Sequence, residues 1–238
     1  MTDPVTESER LSGHPCPCCG YRTLTAPSPG SWLTCPVCGW TDIELAGDAE
    51  RNALFEARRW FAKIGASSPD ALASVRPATG DEDRVEEWQP DEGPSPREVS
   101  AREVERAIRA AFDGATADGR EPLRASYRHD FDLEPAIDWE DQDTHWQQIP
   151  SDVLEFFGSG TTPFVFGNAF SFRYYMPAFV VRSLQLGFAM GAVRALDLEL
   201  PRTTAPDDLP EVALLDDTQR AAIRRYLNHV LTFESPAP

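Results

Sequence analysis

Apolar residues recur at helical spacing in several stretches of this chain of 238 residues. Leu54, Ala57, Arg58 and Phe61 fall at i, i+3, i+4 and i+7, and predict a helix over about 49–64. Val104, Ala107, Ile108, Ala111 and Phe112 form an i, i+3, i+4, i+7, i+8 stripe, with Ser100-x-x-Glu103 ahead of it as a capping box. Ser151 opens a short helix through Phe157, and the run from Gly158 to Pro163 ends it. Ala169 to Tyr175 and Pro177 to Leu186 read as two helical pieces, with Pro177 tolerated at a helix start after a kink. Asp217-Thr218 begins the last helix, and Ile223, Tyr226, Leu227, Val230 and Leu231 are expected to form its buried face.

The intervening stretches are polar. Residues 1–13 read as a disordered tail. Residues 66–96 are rich in Pro, Gly and acids, and Leu72, Val75, Val85 and Trp88 are their main apolar content. That composition predicts a solvated linker, with anchoring by Trp88 as the alternative. Residues 114–144 are acidic and irregular in pattern, with Trp139 as an anchor. The expected organisation is a module at 14–65, a linker at 66–96 and a mainly helical domain at 97–234.

Length and composition narrow the class. A chain of this size holds one or two domains with real cores. Lys63 is the only lysine against twenty-one arginines, which with the many Ala and Pro suggests a GC-rich prokaryotic genome. No apolar run reaches membrane-spanning length, and Pro177 to Leu196 is interrupted by Arg182 and Arg194. The opening Met1-Thr2-Asp3-Pro4 has no basic or apolar signal region, so a soluble cytoplasmic location is expected.

The net charge of −17 is unevenly spread. Residues 66–96 carry 8 acids and 2 bases, and residues 97–150 carry 13 and 7, net −6 each. Nucleic-acid binding needs a basic surface to displace counterions from phosphate, and this chain has none, which speaks against DNA or RNA. An acidic surface suits a cationic protein partner instead.

Cysteine spacing carries the clearest chemistry. Cys16-Pro17-Cys18-Cys19-Gly20-Tyr21 is followed by Cys35-Pro36-Val37-Cys38-Gly39-Trp40, each copy reading Cys-Pro-x-Cys-Gly-aromatic. Two cysteines separated by two residues turn both sulfurs toward one point. The Gly after the second permits a positive φ, so backbone amides can face the sulfurs. Paired copies separated by fifteen residues match a tetrahedral thiolate site, with Cys16, Cys19, Cys35 and Cys38 as ligands for one structural Zn²⁺. Iron in the same four-sulfur site is the alternative. A disulfide framework fits poorly, because five cysteines are an odd number and none follows Cys38. Cys18 aligns with Val37, so its side chain is expected to point away from the metal. A reactive role, or ligation in place of Cys16, stands beside that reading. His14 reads as a flanking residue. The fold class is α+β: a small zinc-ribbon-like module with a following helix, joined to a mainly α domain.

The segment resembles the bacterial cysteine-rich CPCC family over about residues 14–70. The resemblance rests on the two knuckles, on Arg22-Thr23-Leu24, on Pro29-Gly30-Ser31, and on Leu54, Ala57, Arg58, Phe61 and Gly65-Ala66, which look like that family's helix. Gly47-Asp48-Ala49-Glu50 stands where the family usually carries Gly-Ala-Asn. The resemblance implies a small metal-binding module and no particular reaction. Residues of about 97–190 are similar to an uncharacterised bacterial domain, through the helix Val104 to Phe112, Trp146 with Ile149-Pro150 and Leu154, and the block Phe172 to Phe179. This implies a fold and no function.

Other candidates are weaker. Arg173, Tyr174 and Tyr175 could line a ligand pocket, or the aromatic block could be core. His145 near Asp141 and Asp143 suggests a second metal site, or simply solvated charge. Gly158 to Thr162 lacks the lysine of a phosphate loop. Three functions follow: a non-enzymatic acidic interaction protein of adaptor or immunity type, an enzyme with its site around Arg173 and Tyr174, or a thiol or metal sensor using Cys18. The first agrees best with charge and motif, and the densest acidic cluster (Asp130, Asp132, Glu134, Asp138, Glu140, Asp141, Asp143) is its expected contact face.

Overall fold

The computed structural model describes residues 13–140, 145–159, 168–187, 190 and 214–233. The expected tail at 1–13 lies outside them but for Gly13. The chain divides into two compact units, at Val99 and Ser100.

The first unit is built on two short strands and one long helix. Strand β1 (His14–Pro15) pairs antiparallel with β2 (Arg22–Leu24), with an irregularity between His14 and Pro15. Helix α1 runs Asp48–Ile64, as its apolar spacing predicts. Its start is fixed by Glu50, whose carboxylate accepts the Gly47 amide at 3.0 Å, and Asp48 and Glu50 face the positive end of the helix dipole. Gly65, at φ 77, ends it by donating to the Phe61 carbonyl. The inner face of α1 buries Leu54 and Ala57 against the cysteines.

Residues 66–96 depart from the expected solvated linker. Ser67 donates its amide to the Cys38 carbonyl at 2.6 Å, and Arg76 donates to Pro36 at 3.0 Å. A short 3-10 turn, Pro69–Ala73, intervenes. Further on, Arg22 donates to Asp83 and Val85 donates to Gly20, both at 3.0 Å. The segment is thus a strap laid across both knuckles. Many of its side chains are exposed, which explains its polar composition; its attachment is largely through backbone, which composition does not report.

The second unit is helical among the described residues: α2 (Pro96–Ala111, which begins four residues before the division), α3 (Leu123–Phe131), α4 (Ser151–Gly158), α5 (Ala169–Leu186) and α6 (Asp217–Phe233). Val104, Ile108 and Phe112 are buried as the α2 stripe predicts. The cap falls one turn earlier than expected. Ser95 and Glu98 form the box, with Ser95 N donating to the Glu98 carboxylate at 2.7 Å and Glu98 N to Ser95 Oγ at 3.2 Å. Both Ser-x-x-Glu matches are available; Pro96 at the first helical position favours the earlier one.

Two further differences concern pattern. Helix α3 occupies part of the stretch expected to be irregular, burying Leu123 and Ser126 until Asp132 turns left-handed at φ 51. Helix α5 is continuous through Pro177 and is apolar on nearly all sides, with Tyr174, Tyr175, Met176, Phe179 and Val180 each at most 2% exposed. Core packing on most of its surface holds it together although Pro177 supplies no amide hydrogen bond. In α6, Ile223, Tyr226 and Val230 are buried as expected, but Leu231 is 56% exposed and His229 takes an inner position. Trp139 packs on the core as an anchor, and buried Trp146 donates its indole N–H to the Phe112 carbonyl at 2.8 Å.

Candidate metal centre

The two Cys-Pro-x-Cys-Gly segments fold into matching knuckles. In the first, Gly20 donates to the Cys16 carbonyl at 2.9 Å and Cys16 donates to Tyr21 at 2.9 Å. In the second, Gly39 donates to Cys35 and Cys35 to Trp40, both at 2.8 Å. Gly20 and Gly39 sit at φ 77 and 76, a left-handed turn open to glycine and strained for other residues. Each knuckle turns its two sulfurs inward.

The four sulfurs of Cys16, Cys19, Cys35 and Cys38 lie within 4.8 Å of one another and are buried. Cys16 to Cys38 and Cys19 to Cys35 are each 3.7 Å apart. A disulfide would bring sulfurs to about 2.05 Å, and all five cysteines are free. A tetrahedral ion bound at about 2.3 Å separates its sulfurs by about 3.8 Å, which the two 3.7 Å pairs match. These four cysteines can hold a metal ion.

Their electrostatics also suit a cation. The Cys35 thiol is pushed far down, first by its hydrogen bond with Cys16 and then by those with Cys19 and Cys38. Thr23 Oγ1 stands 3.1 Å from the same sulfur. The Cys19 thiol is pushed up, first by hydrogen bonding with Cys16, and the Cys38 thiol is pushed up by Cys16 and then Cys18. Four packed thiols let one ionise at the expense of its neighbours. A bound dication removes that conflict by attracting all four thiolates.

Cys18 is fully buried and stands outside the four-sulfur set. It is not remote from the metal position, however, since it adds to the upward push on Cys38.

Support around the first knuckle comes from residues the sequence reading did not assign to the site. Three successive carbonyls are capped by side chains: Pro17 by Arg58 Nε at 2.7 Å, Cys18 by the Trp88 indole N–H at 3.1 Å, and Cys19 by Arg84 Nε at 2.9 Å. The Arg84 guanidinium lies 3.8 Å over the Trp88 ring, whose edge-to-face partner is Phe61 at 5.8 Å. The signals were a lone Trp in a polar stretch and an Arg on the apolar face of α1. Just after the second knuckle, the buried Asp42 carboxylate accepts from Ser28 Oγ at 2.7 Å, Ser31 Oγ at 2.6 Å and Ser31 N at 3.0 Å. It holds the 27–31 loop in place.

The other sequence candidates fall elsewhere. Tyr174 and Tyr175 are core residues of the second unit, and Arg120 donates to the Tyr175 hydroxyl at 2.9 Å. The buried Nε of Arg173 meets no hydrogen-bond partner among the described residues. Both nitrogens of His145 are engaged, Nε2 with the Asp113 carbonyl at 2.8 Å and Nδ1 as acceptor from Gln147 N at 3.3 Å. Asp141 and Asp143 lie outside the described residues, as do Gly160 to Thr162 of the glycine-rich run and the side chain of Asp130.

A four-cysteine module able to hold a metal ion, followed by a helical unit, is therefore the class of protein that fold and site define. The family models agree with that division. Residues 14–82 match the cysteine-rich CPCC family, and the chain belongs to a family of unknown function (DUF6714), whose model matches residues 100–236. Both matches run past the limits that sequence resemblance suggested, the first into the strap and the second through α6. Comparison with curated proteins and with solved structures finds no match.

Proposed function

We infer that this chain is a non-enzymatic, acidic interaction protein of adaptor or immunity type, with its first unit stabilised by one structural zinc ion. The observation that carries the reading is the closed ligand set. All four sulfurs are buried, and the neighbouring carbonyls are capped, so a tetrahedral ion would keep no position for substrate. Zinc suits such a set because it favours tetrahedral thiolate ligation and needs no redox partner. Iron fits the same geometry, and the test separates the two.

Charge supports the interaction role. Among the acidic cluster, Glu134 is drawn into ion pairs with Arg128 at 2.6 Å and Arg124 at 3.4 Å, while Asp132, Asp138 and Glu140 are exposed. An acidic surface speeds encounter with a cationic protein and repels nucleic acid. A soluble cytoplasmic protein accords with the described helices, none of which is long and apolar enough to cross a membrane.

Metal analysis of the purified chain tests the centre. About one zinc per chain is expected, lost on Cys35→Ser and retained on Cys18→Ser. Full retention in Cys35→Ser, or a coloured iron protein, refutes it. Affinity purification from native lysate tests the partner. A basic protein is expected, and its association should slow when Asp132, Asp138 and Glu140 are neutralised. Added salt should shrink that difference. An acidic partner sinks the electrostatic reading.

A further inference from the structure

Beside the first knuckle, within the first unit, lies an open cleft of about 440 Å³. Its volume is within the roughly 300–1,000 Å³ of ligand sites. The knuckle, the 27–29 loop held by Asp42, and the strap at 85–88 each form part of its wall. It exists as a cleft because the strap is laid against the knuckle.

Its lining is unusual in polarity. Pro15, Pro17, Pro27 and Pro29 present ring surface and no backbone N–H, and the Pro17 carbonyl is already taken by Arg58 Nε. Two polar side chains of the lining are largely committed, and the His14 ring lines the cleft beside them. Arg58 gives Nε to Pro17 and Nη1 to Asp91 at 2.9 Å, and the Ser28 hydroxyl goes to Asp42. Glu87 is exposed at the edge and makes no ion pair among the described residues, and the same holds for its strap neighbours Glu86 and Glu92. Trp88 closes one side with a ring fixed by its N–H bond to Cys18 and by Arg84 and Phe61. A rigid aromatic of this kind is a common anchor in protein recognition. The cleft is therefore mainly apolar, with one exposed carboxylate, Glu87, at its edge.

We propose that this cleft docks a short extended peptide segment of a partner protein in which an Arg or Lys side chain stands next to an apolar one. The apolar side chain meets the prolines and Trp88. The cation pairs with the Glu87 carboxylate. This rests on the interaction-protein reading, and adds a second contact face, on the metal module, to the acidic stretch of the second unit.

The test uses the full-length, metal-loaded, ¹⁵N-labelled chain and two capped pentapeptides. One has two arginines flanking a leucine, and the other has two glutamates in their place. Saturable shifts of the Trp88 indole and of the Gly20 and Val85 amides are expected with the arginine peptide alone. Glu87→Lys should weaken binding about tenfold with metal content unchanged, and Asp132→Lys in the second unit should leave it as it was. No shift at these groups with either peptide overturns the proposal, as does equal binding of the glutamate peptide. Equal binding of free arginine amide would assign the cleft to a small cation and overturn the peptide. Weakening by Asp132→Lys but not by Glu87→Lys would overturn the cleft while leaving the acidic interaction protein standing. That wider reading falls separately, on the charge of the partner recovered from lysate.

Discussion

Replacing Gly20 by alanine measures whether the strap is packed on the knuckle. A Cβ at Gly20 would stand 2.5 Å from Trp88 Cγ and 2.7 Å from its Cβ. Two penalties follow. The left-handed backbone at φ 77 costs an alanine about 1–2 kcal/mol. The collision with the indole costs roughly 1–3 kcal/mol more, as overpacking does elsewhere. Gly20→Ala alone should therefore lose roughly 2–5 kcal/mol. In a Trp88→Gly background the ring and its Cβ are both gone, and the same change should cost only about 1–2 kcal/mol. Whether the ring shifts or detaches in the single variant, the coupling between the two sites should be roughly 1–3 kcal/mol. Hydrogen–deuterium exchange of the 16–22 amides in the full-length, metal-loaded chain reads it. Each 1.4 kcal/mol is about a tenfold change in protection. Equal penalties for Gly20→Ala in the two backgrounds would refute the packed strap and restore a solvated tether.

Further outcomes follow from the same contacts. Asp42→Ala leaves three half-buried donors without their charged acceptor, at up to about 1.5–3 kcal/mol for each such bond; denaturation should show a larger loss than for Asp42→Asn, and equal losses would contradict the assignment. Ser95→Ala should weaken the first turn of α2 by about 1 kcal/mol, seen as faster exchange of the 97–99 amides, whereas Ser100→Ala should leave those amides unchanged. The Arg76 guanidinium holds the Glu82 carboxyl at about 2, below its ordinary 4.5. Its stabilising effect is thus fully present above the ordinary value and is lost as pH falls from about 4.5 to about 2; carboxyl titration by NMR should show this depression, and Arg76→Gln should remove most of it. Removing the metal with a chelator should unfold residues 14–47 and leave the second unit folded, and loss of helical exchange protection in α5 would contradict this.

The amino-acid sequence determined those features whose causes are local. Cys-Pro-x-Cys-Gly folds into a knuckle through bonds between residues five positions apart or fewer, so its two copies disclosed the four sulfurs before any tertiary contact was known. Apolar spacing likewise disclosed α1, the α2 stripe and most of the inner face of α6. Two capping boxes were available, and Pro96 at the first helical position favoured the earlier one. Ser95 and Ser100 both begin Ser-x-x-Glu, and the first is the cap while the second meets His229 at 2.9 Å. That contact with α2 accompanies the inward turn of His229, with Leu231 outside, an outcome the apolar pattern of α6 does not contain. Only the tertiary structure decided the strap. Its attachments join residues 67–88 to carbonyls and amides of the knuckles, and backbone groups are the same in every sequence. A polar segment with one tryptophan can be a tether or a clasp, and the difference lies in whether distant backbone groups are placed to receive it.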